Sequence, residues 1–151
     1  MFSFLRKKEF FTAEEKQHIV EAVQQAEKHT SGEVRVFVES KCSYMDALDR
    51  AAELFSKMQM QNTAERNAVL VYIAVKDRQL AIFGDEGIHK KVGEEYWSRM
   101  VKQMIAHFNK ENFAEGIRQC VLETGEALSN HFPYNKDTDK NELPDDILFG
   151  R

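Results

Sequence analysis

The sequence predicts an α/β fold, a single domain built on a small mixed β-sheet, and three observations carry that reading. The hydrophobic period switches from helical to strictly alternating and back along the chain. One run, Ala68 to Val75, is almost unbroken in apolar residues and rich in branched ones, the composition of a strand covered on both faces. A short polar turn, Lys76-Asp77-Arg78, then leads into further strand character from Gln79 to Phe83, so these two strands form a hairpin and the sheet is mixed.

In chain order, Thr12-Ala-Glu-Glu15 is a capping box opening a helix to about His29, with Ile19, Val20, Val23 and Ala26 at helical spacing. Gly32 breaks that period. From Glu33 to Glu39 the valines at 34, 36 and 38 alternate with Glu33, Arg35, Phe37 and Glu39, which predicts a strand with one apolar face. A second helix is expected over about Ser43 to Met60, capped at Ser43 and burying Met45, Leu48, Ala52, Phe55 and Met58. Its length suits a crossover between parallel strands. Gly84, Gly87 and Gly93 punctuate a loop and a short helical turn around Ile88 to Val92. A long helix follows from Glu94 to Phe108, its stripe including Tyr96, Trp97, Met100, Val101 and Met104. Asn112-Phe-Ala-Glu115 resembles another capping box and starts a last helix, which runs to about Asn130 before Phe132-Pro133 ends it.

At 151 residues and 17.5 kDa the chain fits one domain, within the roughly 100 to 200 residues such units hold. Burying on the order of two thirds of its unfolded surface, it needs no disulfide or metal staple. Charged residues at 30% and hydrophobic ones at 42% exclude a collagen, a coiled-coil rod and a disordered tail. With 21 basic against 25 acidic side chains there is no overall positive field to draw nucleic acid or anionic lipid. No apolar run approaches the roughly 18 residues of a membrane span, so no integral membrane segment is expected. The start, Met1 to Lys8, has its charges after its apolar residues, the reverse of a secretory signal. Cys42 and Cys120 share no close spacing and read as reduced thiols in a cytoplasmic protein, expected as a monomer.

Strands joined by a crossover run parallel and the hairpin reverses direction, so strand ends can be matched. Thr30 to Glu33, Glu65 to Asn67, and Gly84 to Gly87 all fall on one edge of the sheet, bringing carboxylates from three segments together. Gly84-Asp85-Glu86-Gly87 sets flexible backbone around two acids, a composition that can wrap a hard cation, calcium or magnesium. The same four residues also suit an ordinary turn with acids at a helix N-terminus. Arg35 and Arg66 are candidates to hold an anion, since a guanidinium is a planar fork of donors; pairing with Glu33 or Glu65 is the structural alternative. The five histidines, His89 among them, show no ligand spacing and read as structural, and Asp46 and Asp49 read as a solvated helix face. No phosphate-binding glycine loop, nucleophile elbow or zinc motif occurs.

Thr30-Ser-Gly-Glu-Val-Arg-Val36, Thr63-Ala-Glu-Arg-Asn-Ala-Val-Leu-Val-Tyr-Ile-Ala74, Leu80-Ala-Ile-Phe-Gly-Asp-Glu-Gly-Ile88, His107-Phe and Gly116-Ile, in that order, resemble the TPM domain. That family includes thylakoid-lumen acid phosphatases and short bacterial proteins. The resemblance covers roughly Phe11 to Pro133, and Asn141-Glu-Leu-Pro-Asp-Asp-Ile147 resembles the tail of the short, soluble bacterial members. It divides the chain into an N-terminal segment 1–10, a domain 11–133 and an acidic tail 134–151 whose first half is read as mobile. It implies a three-layer α/β/α sandwich, divalent metal binding with calcium the leading ion, and phosphatase activity. Carried over by position, Glu33, Asp85 and Glu86 are the implied metal ligands.

Two functions follow as expectations. One is a cation-binding interaction or regulatory module with a protein partner and no turnover. The other is a metal-assisted acid phosphatase on phosphomonoesters, in which Asp85 or Glu86 activates water and Arg35 or Arg66 neutralises phosphoryl charge. A peripheral membrane role would rest on Met1 to Lys8 and Ile147 to Phe149, which offer little area or charge for lipid.

Overall fold

In the structure, a computed structural model describing residues 10–42, 44–109, 112–134 and 147–149, helix α1 (Ala13–Glu27) starts at the expected capping box. Thr12 Oγ1 accepts from the Glu15 N–H at 3.0 Å, and the Glu15 carboxylate accepts from the Thr12 N–H at 2.9 Å. Three strands follow the expected periods, β1 (Glu33–Glu39), β2 (Ala68–Ala74) and β3 (Gln79–Gly84), and a fourth, β4 (Leu148–Phe149), is not among the expected elements. Their order across the sheet is β3-β2-β1-β4. β1 runs parallel to β2, from Glu33 beside Ala68 to Glu39 beside Ala74, while β3 returns antiparallel with Gly84 beside Val69. The sheet is therefore mixed.

Helix α2 (Ala47–Lys57) covers one face of the sheet; α1, α3 (Glu86–Val92), α4 (Glu94–Asn109) and α5 (Phe113–His131) cover the other. Strand alternation sorts the core accordingly. Val34, Val36, Val38, Val69, Val71, Ile73 and Ile82 pack towards α1, α4 and α5, whereas Leu70, Tyr72, Ala74 and Ala81 pack towards Ala47, Ala51, Leu54 and Phe55 of α2. The result is the expected α/β/α sandwich, with β2 wholly buried at its centre.

Three details differ from the expectation. α2 begins later, because Asp46 is its cap and accepts from the Asp49 N–H at 2.9 Å; Ser43 lies outside the described residues. Starting at Ala47 turns the helix so that Met45 and Leu48 stay 39% and 52% exposed and the small Ala47 and Ala51 face the sheet. Asn112 precedes α5 without a side-chain cap bond. The polar side of β1 is not solvated, since α2 lies over it and leaves Glu33, Arg35 and Glu39 only 3%, 5% and 6% exposed.

The sheet also recruits chain beyond the helices. Leu148 and Phe149 pair in parallel with Phe37 and Val38, and Ile147 enters the core, so Ile147 is not available to lipid. The segments 1–9 and 135–146 lie outside the described residues, and among the described ones no helix is long and apolar enough to cross a membrane. Cys42 and Cys120 are both free and buried. Burial pushes the Cys120 thiol up to about 12.

α1 and α5 cross where Gly125 meets Ala26: a Cβ on Gly125 would lie 2.6 Å from both Cα and Cβ of Ala26. Alanine raises helix propensity by about 1 kcal/mol, but overpacking costs about 1–3 kcal/mol, and backbone on one side cannot yield. Gly125→Ala is expected to lower the urea midpoint with an unchanged slope; a raised midpoint would show that the two helices separate freely.

Candidate functional site

The three segments meet at one sheet edge, as strand direction requires. The Thr30 hydroxyl lies between the Phe132 and Leu128 carbonyls, 3.0 Å from the latter, and accepts from the Gly32 N–H at 3.0 Å, fastening the entry of β1 to the end of α5. Ser31 Oγ donates to Glu65 Oε2 at 2.8 Å and accepts from Asn67 Nδ2 at 3.0 Å. Arg66, at φ +53°, turns its guanidinium onto the third segment. Its Nε and Nη2 donate to Asp85 Oδ2 and Oδ1 at 2.6 and 2.8 Å, and its Nη1 lies 3.8 Å from Glu86 Oε1. The hydrogen bond with Asp85 raises the Arg66 pKa.

Asp85 is the pivot of this edge. It is 4% exposed, its Oδ1 accepts from the Glu86 N–H at 2.8 Å to cap α3, and its own N–H donates to the Ala68 carbonyl at 2.9 Å. Gly87 then approaches so closely that a Cβ would stand 2.2 Å from the Glu65 carbonyl oxygen. Only glycine lets the second and third segments touch through backbone.

The expected residues thus divide into two groups. Arg66, Asp85 and Glu86 are in mutual contact at the edge. Glu33 and Arg35 point under α2, where Arg35 Nη1 donates to Met58 Sδ at 3.6 Å and its buried Nε has no partner. Burial pulls the Arg35 pKa down, opposed by the charges of Glu33 and Glu27. Glu33 is level with Ala68, and Asp85 bonds to Ala68 from the far side, which separates the two backbones by two strand spacings, roughly 10 Å. Among the described residues no three His, Cys, Asp or Glu side chains are grouped to hold a metal ion. Asp85 spends both carboxylate oxygens on Arg66.

Beside this edge a cleft of about 810 Å³ runs along β3, lined by Leu48, Leu80, Phe83, Trp97, Val101 and Lys102 and ending at Arg66, Asp85, Glu86 and His89. Trp97 lies on Gly84, where a Cβ would come within 2.4 Å of its ring, and its Nε1 donates to His89 Nδ1 at 3.0 Å. Sequence reasoning placed Trp97 in a core stripe and His89 among scattered histidines. The usable signal was Gly84 at a strand end, which leaves room for a large ring.

The opposite edge holds a second polar cluster that sequence reasoning missed. The Glu39 carboxylate accepts from Arg50 Nε and Nη2 at 2.9 and 3.0 Å and from the Tyr72 hydroxyl. Asp77 accepts from the Cys42 N–H at 2.7 Å. These bonds tie α2 and the hairpin turn to β1. Burial pushes the Glu39 pKa up, but hydrogen bonds from Arg50 and Tyr72 and the Arg50 charge outweigh it and hold it below the ordinary 4.5. A carboxylate depressed on folding contributes stability that is complete above its unfolded value and lost as pH falls through its folded value. Glu39→Gln is expected to lose about 1–2 kcal/mol at pH 7 and to show a shallower acid decline in a pH series of urea melts. An unchanged acid limb would assign that decline to other carboxylates.

The sequence matches the TPM domain family over residues 5–127. None of the curated proteins matches it. Among solved structures, the BA42 protein from the psychrophilic bacterium Bizionia argentinensis is 40% identical, with a TM-score of 0.87 over 97% of this chain and 99% of that one. The N-terminal domain of a protein from P. gingivalis is 18% identical, with a TM-score of 0.64 over 83% of this chain and 82% of that one. The N-terminal domain of the cg2496 protein from Corynebacterium glutamicum is 12% identical, with a TM-score of 0.61 over 89% and 84%. These last two show a shared fold alone. The family match spans most of the chain and BA42 matches nearly all of it at 40% identity; this chain belongs to the TPM domain family.

Proposed function

We propose that the loop edge of this TPM domain is a divalent-cation receptor, calcium before magnesium, that serves an interaction or regulatory role rather than turnover. The observation that carries this reading is a buried carboxylate, Asp85, held by a guanidinium whose side chain is 43% exposed. A hard cation and a guanidinium are alternative partners for the same two oxygens. With Arg66 in place the donors do not form a cation cage. With Arg66 turned outward, Asp85 and Glu86 offer hard oxygen donors, and Glu33, level with them on β1, adds negative charge. The free, buried thiols support a cytoplasmic place of work.

One observation favours a second reading, an acid phosphatase acting on phosphomonoesters. Arg66 and His89 line the cleft beside Asp85 and Glu86, so a cationic fork, an imidazole and carboxylates stand together. There Arg66 would bind phosphoryl oxygens and Asp85 or Glu86 would take a proton from water.

Arg66→Gln separates the two readings. Calcium and then magnesium are titrated into both proteins while the amides of Gly32, Asp85, Glu86 and Gly87 are followed, with hydrolysis of an aryl phosphate measured on the same samples. The expected result is localised shifts without turnover, and tighter calcium binding in the variant, on the order of tenfold, because the competing cation is gone. Metal-dependent hydrolysis that disappears in the variant would establish the phosphatase instead. Absence of shifts in both proteins would return the loop to a helix-capping turn.

A further inference from the structure

β3 is an edge strand, and its outer side is chemically unfinished. The bond from the Asp85 N–H to the Ala68 carbonyl sets the antiparallel register, so Phe83 and Ala81 direct their N–H and C=O groups at β2. Leu80, Ile82 and Gly84 therefore direct theirs outward, and among the described residues no strand pairs with them. Such an edge is a template for another strand, and native proteins blunt it with charge, proline or a cover. Along Leu80-Ala-Ile-Phe-Gly84 there is neither charge nor proline, and among the described residues no further strand covers this side.

The cleft of about 810 Å³ lies along this edge and is apolar on both flanks: Leu48 and Phe83 on the α2 side, Trp97 and Val101 on the α4 side. Its two ends differ in charge. α4 starts near the loop edge and runs away from it, since Tyr96 bonds to the Glu123 carbonyl and His107 to Gln119 on α5, whose far end meets β1 at Ser31. α4 is thus antiparallel to β3. Glu86 and Glu94 stand at the Gly84 end of the cleft, beyond the paired Arg66 and Asp85, and Lys102 stands towards Leu80.

We infer that this cleft binds an extended peptide of a partner protein, added to the sheet as a strand antiparallel to β3. Its backbone pairs with Leu80, Ile82 and Gly84, as in recognition by strand addition. Alternate apolar side chains drop to the Leu48–Phe83 and Trp97–Val101 flanks. A basic residue at its N-terminal side meets Glu86 and Glu94, and an acidic one at its C-terminal side meets Lys102. In the antiparallel sense the free ammonium and carboxylate ends of a short peptide also lie beside their opposites. The inference names the partner class of the proposed interaction role, yet it rests on the edge strand and not on a cation.

The probe is the heptapeptide Lys-Val-Leu-Thr-Leu-Val-Glu, titrated into the full chain in a chelator and again in calcium. Trp97 is the single tryptophan and reports from the cleft wall. The expected result, in both solutions, is a change in its emission with shifts and exchange protection at the Leu80, Ile82 and Gly84 amides. N-methylation of the peptide at alternate, strand-facing positions leaves its side chains intact and is expected to weaken binding by about a hundredfold. Reversing the peptide's two charges, or Glu94→Lys in the protein, is expected to weaken it about two- to fivefold, the worth of exposed ion pairs. Binding that survives N-methylation, or shifts that spare β3, would overturn the inference. So would a peptide-independent dimer paired through β3, or protection of β3 that disappears in a variant lacking residues 1–9; these would name a second copy or the chain's own start as the occupant. Peptide binding without calcium shifts would leave this inference standing and remove the cation reading, and the reverse result would do the opposite.

Discussion

The complete burial of β2 is the constraint from which the rest of the architecture follows. All seven of its residues are buried, so its backbone must be paired on both sides and its side chains covered above and below. Parallel β1 and antiparallel β3 supply the pairing. α2 closes one face and the other four helices close the second, dividing the apolar side chains into two cores that meet only through the sheet. Placing a reversed strand on one side of β2 also decides that the starts of β1 and β2 and the end of β3 share an edge. The candidate site is a by-product of how a hydrophobic strand is satisfied.

That edge was legible because it depends on strand direction, which connection lengths determine. The period switch at Gly32, the run after Asn67 and the Lys76-Asp77-Arg78 turn were enough to bring three acidic segments together. What each carboxylate does there was not legible. Arg66 reaches Asp85 from a left-handed backbone conformation that nothing in its neighbours announces. Similarly, the alternation of β1 reports which residues share a face, but not whether that face meets water. Glu33, Arg35 and Glu39 became interior groups only because α2 covers them, and their burial converts surface charges into a demand for partners.

Other failures have the same root in long-range placement. The α2 segment carries two apolar series, one through Met45 and Leu48 and one through Ala47, Ala51 and Leu54, and periodicity cannot choose between them. The cap at Asp46 and the space above the sheet choose the second. The open edge of β3 depends on strand order, and β4 comes from residues far along the chain. The shared architecture of BA42 at 40% identity and of two domains at 18% and 12% shows that this fold is reached by sequences that differ at most positions.

The crossing of α1 and α5 has a consequence for how the chain acquires its shape on the ribosome. α1, β1, α2, β2 and β3 lie close in sequence and can assemble as they emerge, but the side of α1 at Ala26 is not closed until Gly125 reaches it. β1 likewise waits for residues 148 and 149 to complete its far side. A nascent chain therefore carries a sheet whose second face still lacks α5, leaving part of the valine side of β1 and β2 incompletely covered, for the time needed to synthesise α5 and β4. Such an intermediate exposes apolar surface and an unpaired strand at once. Slow, late contacts of this kind make chaperone engagement a matter of topology rather than of marginal stability.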